Sequence, residues 1–143
     1  MFHLTLGQVP NKQMRILGID YGRKKIGLAI AEGYLAEPYC VIRFNLEKEA
    51  LEKVSAAFAR VSKDKKVELI VVGVSEGQMG REQKNFGKKL KDTLKTPVIF
   101  QDETLTTQDA QKLSQNAQIK RKKRQNLEDA YSATLILQSF LDL

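Results

Sequence analysis

"GIDYGRKKIGLAI", residues 18 to 30, places an aspartate at the end of one apolar run, between two glycines, with a basic turn and a second apolar run behind it. Extended outward, the runs are "RILGID" (15 to 20) and "KIGLAIAE" (25 to 32), and "YGRK" between them reads as a tight hairpin with Gly22 in the turn. "PYCVIRF" (38 to 44) follows after Gly33 and makes a three-strand meander. From Leu46 to Ser62 the residues Leu46, Ala50, Leu51, Val54, Ala57, Phe58 and Val61 recur every three or four positions, which predicts a helix with one apolar face. "VELIVVG" (67 to 73) is apolar almost throughout, as suits a central strand covered on both faces. A basic amphipathic helix over 79 to 93 turns Phe86 and Leu90 inward, and "PVIFQDE" (97 to 103) supplies the next strand. Thr106 or Thr107 is placed to cap a helix through about Ser114. Residues 114 to 126 break the periodicity and read as a loop, and "LEDAYSATLILQSFLDL" closes the chain as a helix. This order predicts an α/β fold: a five-stranded mixed sheet, an antiparallel meander plus parallel strands, flanked by helices.

The 143 residues suit one compact domain, with residues 1–14 as an N-terminal extension, residues 15–143 as the domain, and Met14 as an alternative start of translation. Composition is that of a soluble globular protein, with 42% hydrophobic and 29% charged residues and no apolar run long enough to span a bilayer. A net charge of +7 favours polyanionic partners. The single cysteine, Cys40, excludes an intrachain disulfide and reads as a buried small hydrophobe. The opening residues lack the pattern of a secretion signal, so a cytoplasmic location is expected.

In open sheets ligands gather beyond the carboxyl ends of parallel strands, where Asp20 and the pair Asp102-Glu103 fall. Each has an ordinary explanation: an aspartate at a strand end bonds the turn, and Glu128 with Asp129 suits the first turn of a helix. Together they are three acidic positions able to meet at one edge, where carboxylates repel one another unless a cation neutralises them. Oxygen donors without a His or Cys partner point to Mg²⁺ or Mn²⁺, since the only histidine, His3, lies in the extension. No Ser-His-Asp set is evident, which leaves metal-assisted chemistry on a phosphate as the enzymatic reading.

A cationic surface completes that reading. "IKRKKR" carries Lys120, Arg121, Lys122, Lys123 and Arg124 immediately before the helix bearing Asp129, in position to hold a nucleic-acid backbone. Arg81, Lys84, Lys88, Lys89 and Lys91 extend the patch or simply solvate a helix face. No aromatic residues are interleaved with these cations, so backbone and shape are the expected determinants rather than base stacking.

Four stretches in order, "GIDYGRKKIGLAI", "VVGVSEGQMG", "DETLTTQDA" and "EDAYSATLILQSFL", resemble the YqgF family of Holliday junction resolvases and pre-16S ribosomal RNA nucleases, over nearly all of residues 15–143. The resemblance implies a ribonuclease H-like fold and a catalytic, metal-binding trio of Asp20, Glu103 and Asp129. Two positions depart from the family pattern: Thr104 stands where many relatives have Arg, and Gly73-Val74-Ser75 where they have Gly-Leu-Pro. An Arg clamps a phosphate through a planar pair of donors that Thr lacks, so the departure bears on substrate grip rather than on the metal ligands.

The expected activity is phosphodiester hydrolysis by two Mg²⁺ (or Mn²⁺) ions ~3.5–4 Å apart, the protein supplying no nucleophile of its own. Asp102 and Glu128 are the second-choice ligands. Lys24 and the cations of 120 to 124 would bind the nucleic acid, Tyr21 and Gly22 would line the approach, and Gly18 and Gly22 would leave room for metal and phosphate. The expected substrate is the 5′ end of pre-16S rRNA in ribosome biogenesis, with branched DNA of a Holliday junction as the alternative. The partner is nucleic acid and not a membrane, and the protein is a monomer or a homodimer. Two other classes compete: a nucleic-acid-binding module without catalysis, and an ATP-dependent phosphotransferase, for whose second domain 143 residues leave no room.

Overall fold

The computed structural model describes residues 14–103 and 121–143, the side chains of 121–129 excepted. Strands β1 (Arg15–Tyr21), β2 (Lys25–Glu32) and β3 (Leu35–Arg43) form the antiparallel meander. Helix α1 (Glu47–Val61) leads to β4 (Val67–Val74), and α2 (Gly77–Leu94) to β5 (Val98–Asp102); β4 runs parallel to β1, and β5 to β4. The final helix is α3 (Arg121–Leu141). The described strands form one five-stranded mixed sheet in the order β3-β2-β1-β4-β5, as expected.

β1 is the middle strand, and its period-two alternation divides the core. Leu17, Ile19 and Tyr21 pack with Ala50, Val54, Phe86 and Leu90 of α1 and α2. Ile16 packs on the opposite face with Leu69, Val71, Ala133, Ile136 and Leu137, beneath α3. Met14, just ahead of β1, is 2% exposed in that second layer, and its carbonyl accepts the Gly33 N–H at 3.1 Å. This bond extends the β1–β2 ladder past Arg15↔Glu32, while the β2–β3 ladder runs on through a register shift at Leu28/Ala29 to Glu32↔Leu35, so β3 starts at Leu35 rather than at Pro38. No described helix is long and apolar enough to cross a membrane.

The loop expected over 114 to 126 is corrected in part, because residues 121 to 126 belong to α3. Arg, Lys and Gln are good helix formers, and their propensity carries the helix beyond the end of its apolar period. The helix expected from Thr106 or Thr107 to Ser114 lies outside the described residues.

Two roles assigned at the hairpin also change. The Tyr21 ring does not line an approach: it is 7% exposed and stacks between Phe86 and Phe44, with centroids 4.4 and 6.0 Å away. Gly18 makes room for a helix rather than for a metal, since a Cβ there would lie 2.8 Å from Leu137 Cβ and 3.2 Å from the Ala133 carbonyl oxygen. Gly22 closes the turn, its N–H donating to the Lys25 carbonyl at 3.0 Å. Cys40 is half-buried against the core, and burial raises its thiol pKa, consistent with an apolar rather than a reactive role.

The far end of β1 is held electrostatically. Arg15 bonds Asp64 at 2.8 Å and Glu32 at 2.9 Å, while Lys65 reaches the other Glu32 oxygen at 2.8 Å. Arg15 holds the Asp64 carboxyl below its usual value, and Lys65 with Arg15 does the same for Glu32. A lowered folded pKa means that this stability is present above the ordinary carboxylate range, about 4, and is lost as pH falls through the lowered values. Arg15→Met is therefore expected to lower the melting temperature at pH 7 by more than at pH 2.5, as measured by thermal unfolding monitored by circular dichroism.

Candidate active site

The site lies at the carboxyl ends of β1, β4 and β5. Asp20 follows Ile16 and Gly18 on the β1 face that meets α3, one position beyond the last β1–β4 pair, Ile19↔Val72. Gly73 on β4 stands level with it. Glu103 continues past β5, its N–H donating to the Val74 carbonyl at 3.1 Å. Its Oε2 lies 2.9 Å from where a Cβ on Gly73 would stand, in a place that Ile136 also crowds. Neighbouring strands are ~4.8 Å apart, so Asp20 and Glu103 lie on one sheet face, on either side of a residue without a side chain.

Asp102 belongs to the other face. It lines a hollow of about 250 Å³ with Val74, Ser75, Glu76, Lys84 and Phe100, on the side of α2. Strand alternation thus separates the two acidic neighbours and leaves Glu103 beside Asp20.

The third acidic position is given by the backbone of α3. Gln138, near its end, donates to the Tyr34 carbonyl at 3.0 Å and accepts from the Ala36 N–H at 2.9 Å. That hairpin sits at the amino end of β1, where Arg15 pairs with Glu32. Going back along α3, Leu137 and Ala133 pass Gly18, and residue 129 lies one turn further toward the carboxyl end of β1. The side chains of Glu128 and Asp129 are outside the described ones, and among the described residues no three His, Cys, Asp or Glu side chains form a metal-holding group.

Of the cations, Lys24 is exposed in the β1–β2 turn, and its carbonyl accepts the Phe44 N–H at 3.0 Å. Lys120 lies outside the described residues, whereas Arg121, Lys122, Lys123 and Arg124 form the first turn of α3. On α2, Arg81, Lys84, Lys88, Lys89 and Lys91 are exposed, with Lys89 paired to Glu47 at 2.8 Å.

One residue of the site escaped the sequence reading. Gln83 of α2 is 1% exposed, and its amide nitrogen donates to Glu103 Oε1 at 2.7 Å and to the Tyr21 carbonyl at 3.2 Å. Its amide oxygen accepts the Ser75 N–H at 2.8 Å. The available signal was helical spacing: Met79, Gln83, Phe86 and Leu90 make one stripe, and a polar member of a buried stripe needs partners.

Residues 14–143 match the family model described as "RuvX: Holliday junction resolvase". The chain is 39% identical over 138 residues to a protein of Caldanaerobacter subterraneus subsp. tengcongensis named "Putative pre-16S rRNA nuclease", covering 90% of this chain and 96% of that one. A Streptococcus thermophilus protein of the same name is 36% identical over 138 residues, at 90% and 98% coverage. Among solved structures, Thermus thermophilus RuvC in complex with a Holliday junction substrate superposes with a TM-score of 0.57 at 16% identity, over 91% of this chain and 95% of that one. The fowlpox virus resolvase with Holliday junction DNA gives 0.59 at 17% identity, over 90% and 97%. The structural likeness gives the fold, a ribonuclease H-like α/β arrangement, as expected from the sequence.

Gly73→Ala tests the crowding at this edge. The added methyl group meets the Ile136 δ-methyl and Glu103 Oε2, so a loss of about 1–3 kcal/mol is expected in urea unfolding. Adding Ile136→Val removes that δ-methyl and is expected to recover part of the loss relative to Ile136→Val alone.

Proposed function

Because the chain belongs to the RuvX family of Holliday junction resolvases, we propose that it processes the 5′ end of precursor 16S ribosomal RNA by divalent-metal-dependent hydrolysis. Family membership makes it a nuclease, a hydrolase of phosphodiester bonds. The RNA substrate is supported by relatives that carry the name of pre-16S rRNA nuclease across 96 to 98% of their own length. The observation that carries the active-site reading is the placement of Asp20 and Glu103 on one sheet face around Gly73.

The donor set at this edge fits a hard cation. Two acidic residues stand on one sheet face where the strands end, and the missing Cβ of Gly73 leaves space for the Glu103 carboxylate. In this reading Asp20 and Glu103 hold Mg²⁺ or Mn²⁺ and Asp129 completes the set from α3. When bound, two such ions would supply a more acidic water and stabilise charge on the phosphoryl and leaving oxygens. The protein's own part is to hold the carboxylates at the required spacing and to grip the backbone of the nucleic acid. Lys24, Lys120, Arg121, Lys122, Lys123 and Arg124 take that second role, through phosphate contacts that weaken as salt rises. Residues 15–143 act as one nuclease domain, and a ribosomal RNA precursor implies work in the cytoplasm.

Asp20→Asn is expected to lower Mg²⁺-dependent cleavage by at least the roughly 10–100-fold that losing an outer partner of a metal ligand typically costs. The measurement is digestion of pre-16S RNA beside a four-way DNA junction, with the variant as control. Unchanged cleavage by Asp20→Asn would overturn the site assignment, and cleavage of the junction alone would move the substrate to branched DNA.

A further inference from the structure

We propose that Gln83 is a positioning residue that holds the Glu103 carboxylate against the end of β1, so that the divalent-cation site is assembled before an ion arrives. This inference rests on the reading of Glu103 as an ion ligand.

The hydrogen bonds define which way the amide faces. The Ser75 N–H can only donate, and it meets Oε1 at 2.8 Å, as does the Ser75 hydroxyl at 3.2 Å. The Tyr21 carbonyl and the Glu103 carboxylate are acceptors, and both meet Nε2. Exchanging oxygen and nitrogen would set acceptor against acceptor and donor against donor, so one amide orientation satisfies every partner. The 2.7 Å bond to the Glu103 carboxylate is charge-assisted, the stronger class of hydrogen bond, and its donor side chain is buried at 1% exposure.

The three partners come from three strand ends. Tyr21 closes β1 and is the neighbour of Asp20, Ser75 follows β4, and Glu103 follows β5. β1 and β5 are separated by β4, about 10 Å in two steps of the ladder, and no direct backbone pairing joins them. The Gln83 amide spans that gap and couples the position of Glu103 to the strand end that carries Asp20. A glutamate at this position would oppose a carboxylate to a carboxylate, a methionine would keep the volume without the bonds, and an asparagine would fall one methylene short. Side chains that orient a metal ligand through a hydrogen bond commonly change ion affinity 10–100-fold when removed.

The test is Mn²⁺ titration calorimetry on the full chain, compared for the native protein, Gln83→Met, Glu103→Gln and the double variant, below the melting temperature of each. Gln83→Met is expected to weaken Mn²⁺ binding about 10-fold or more, and to change it less than twofold once Glu103 is already Gln. If Gln83→Met fails to unfold cooperatively, Gln83→Asn, which keeps the amide but shortens its reach, is expected to show the same pattern. Weakening by Glu103→Gln with none from Gln83→Met would overturn the inference and leave Glu103 as a ligand. No weakening from Glu103→Gln would overturn that ligand assignment, and the inference with it. Equal weakening by Gln83→Met in both backgrounds would mark a general structural effect and also overturn the inference.

Discussion

The shape of the carboxyl end of the sheet follows from how closely α3 lies against β1 and β4. At Gly18 the space of a Cβ is taken by Leu137 and the Ala133 carbonyl; at Gly73 it is taken by Ile136 and by Glu103 Oε2. Glycine in a strand costs ~0.5–1 kcal/mol in backbone entropy. Burial of Ala133, Ile136 and Leu137 at this interface offsets that cost, since a large apolar side chain gains ~1.5–3 kcal/mol. The second glycine accommodates two neighbours at once, because the side chain it lacks would displace a carboxylate as well as a methyl group.

β1 can carry a carboxylate only where it stops being covered. From Ile16 to Ile19 the strand is buried on both faces, and an unpaired charge there would cost several kcal/mol. Asp20 sits where that cover ends and is half-buried. Its neighbour Tyr21 divides its two ends between two tasks: the ring is stacked in the α1–α2 layer, and the carbonyl accepts from Gln83. Burial raises the pKa of the Tyr21 hydroxyl, which keeps the ring neutral. Ring and carbonyl are thus both held from the α1–α2 side of the sheet.

Much of this architecture was legible in local pattern. Apolar runs, a hairpin turn and a helical period led to the five described strands and to α1 and α2 within a few residues, because backbone periodicity and side-chain burial are linked over short distances. Legibility stopped where longer-range factors took over. The start of β3 depends on its pairing with β2, which runs on through a register shift to Glu32↔Leu35, and residues 121 to 126 are helical through propensity without an apolar stripe. The pair Asp102-Glu103 could be recognised as a candidate, but only the alternation beyond β5 separated them onto opposite faces.

By itself, then, the sequence determined the order and type of the elements, the strand-end placement of Asp20 and Glu103, and the family, since each rests on residues close together in the chain. Tertiary structure decided which of those residues share a face and which are only neighbours. It put Tyr21 into the core, gave Gly18 to helix packing, and brought Gln83 from α2 to three strand ends as far as 62 positions away. The physical reason is that hydrogen-bond partners and close approaches depend on distance in space, and spacing along one segment says little about contacts between segments folded against each other.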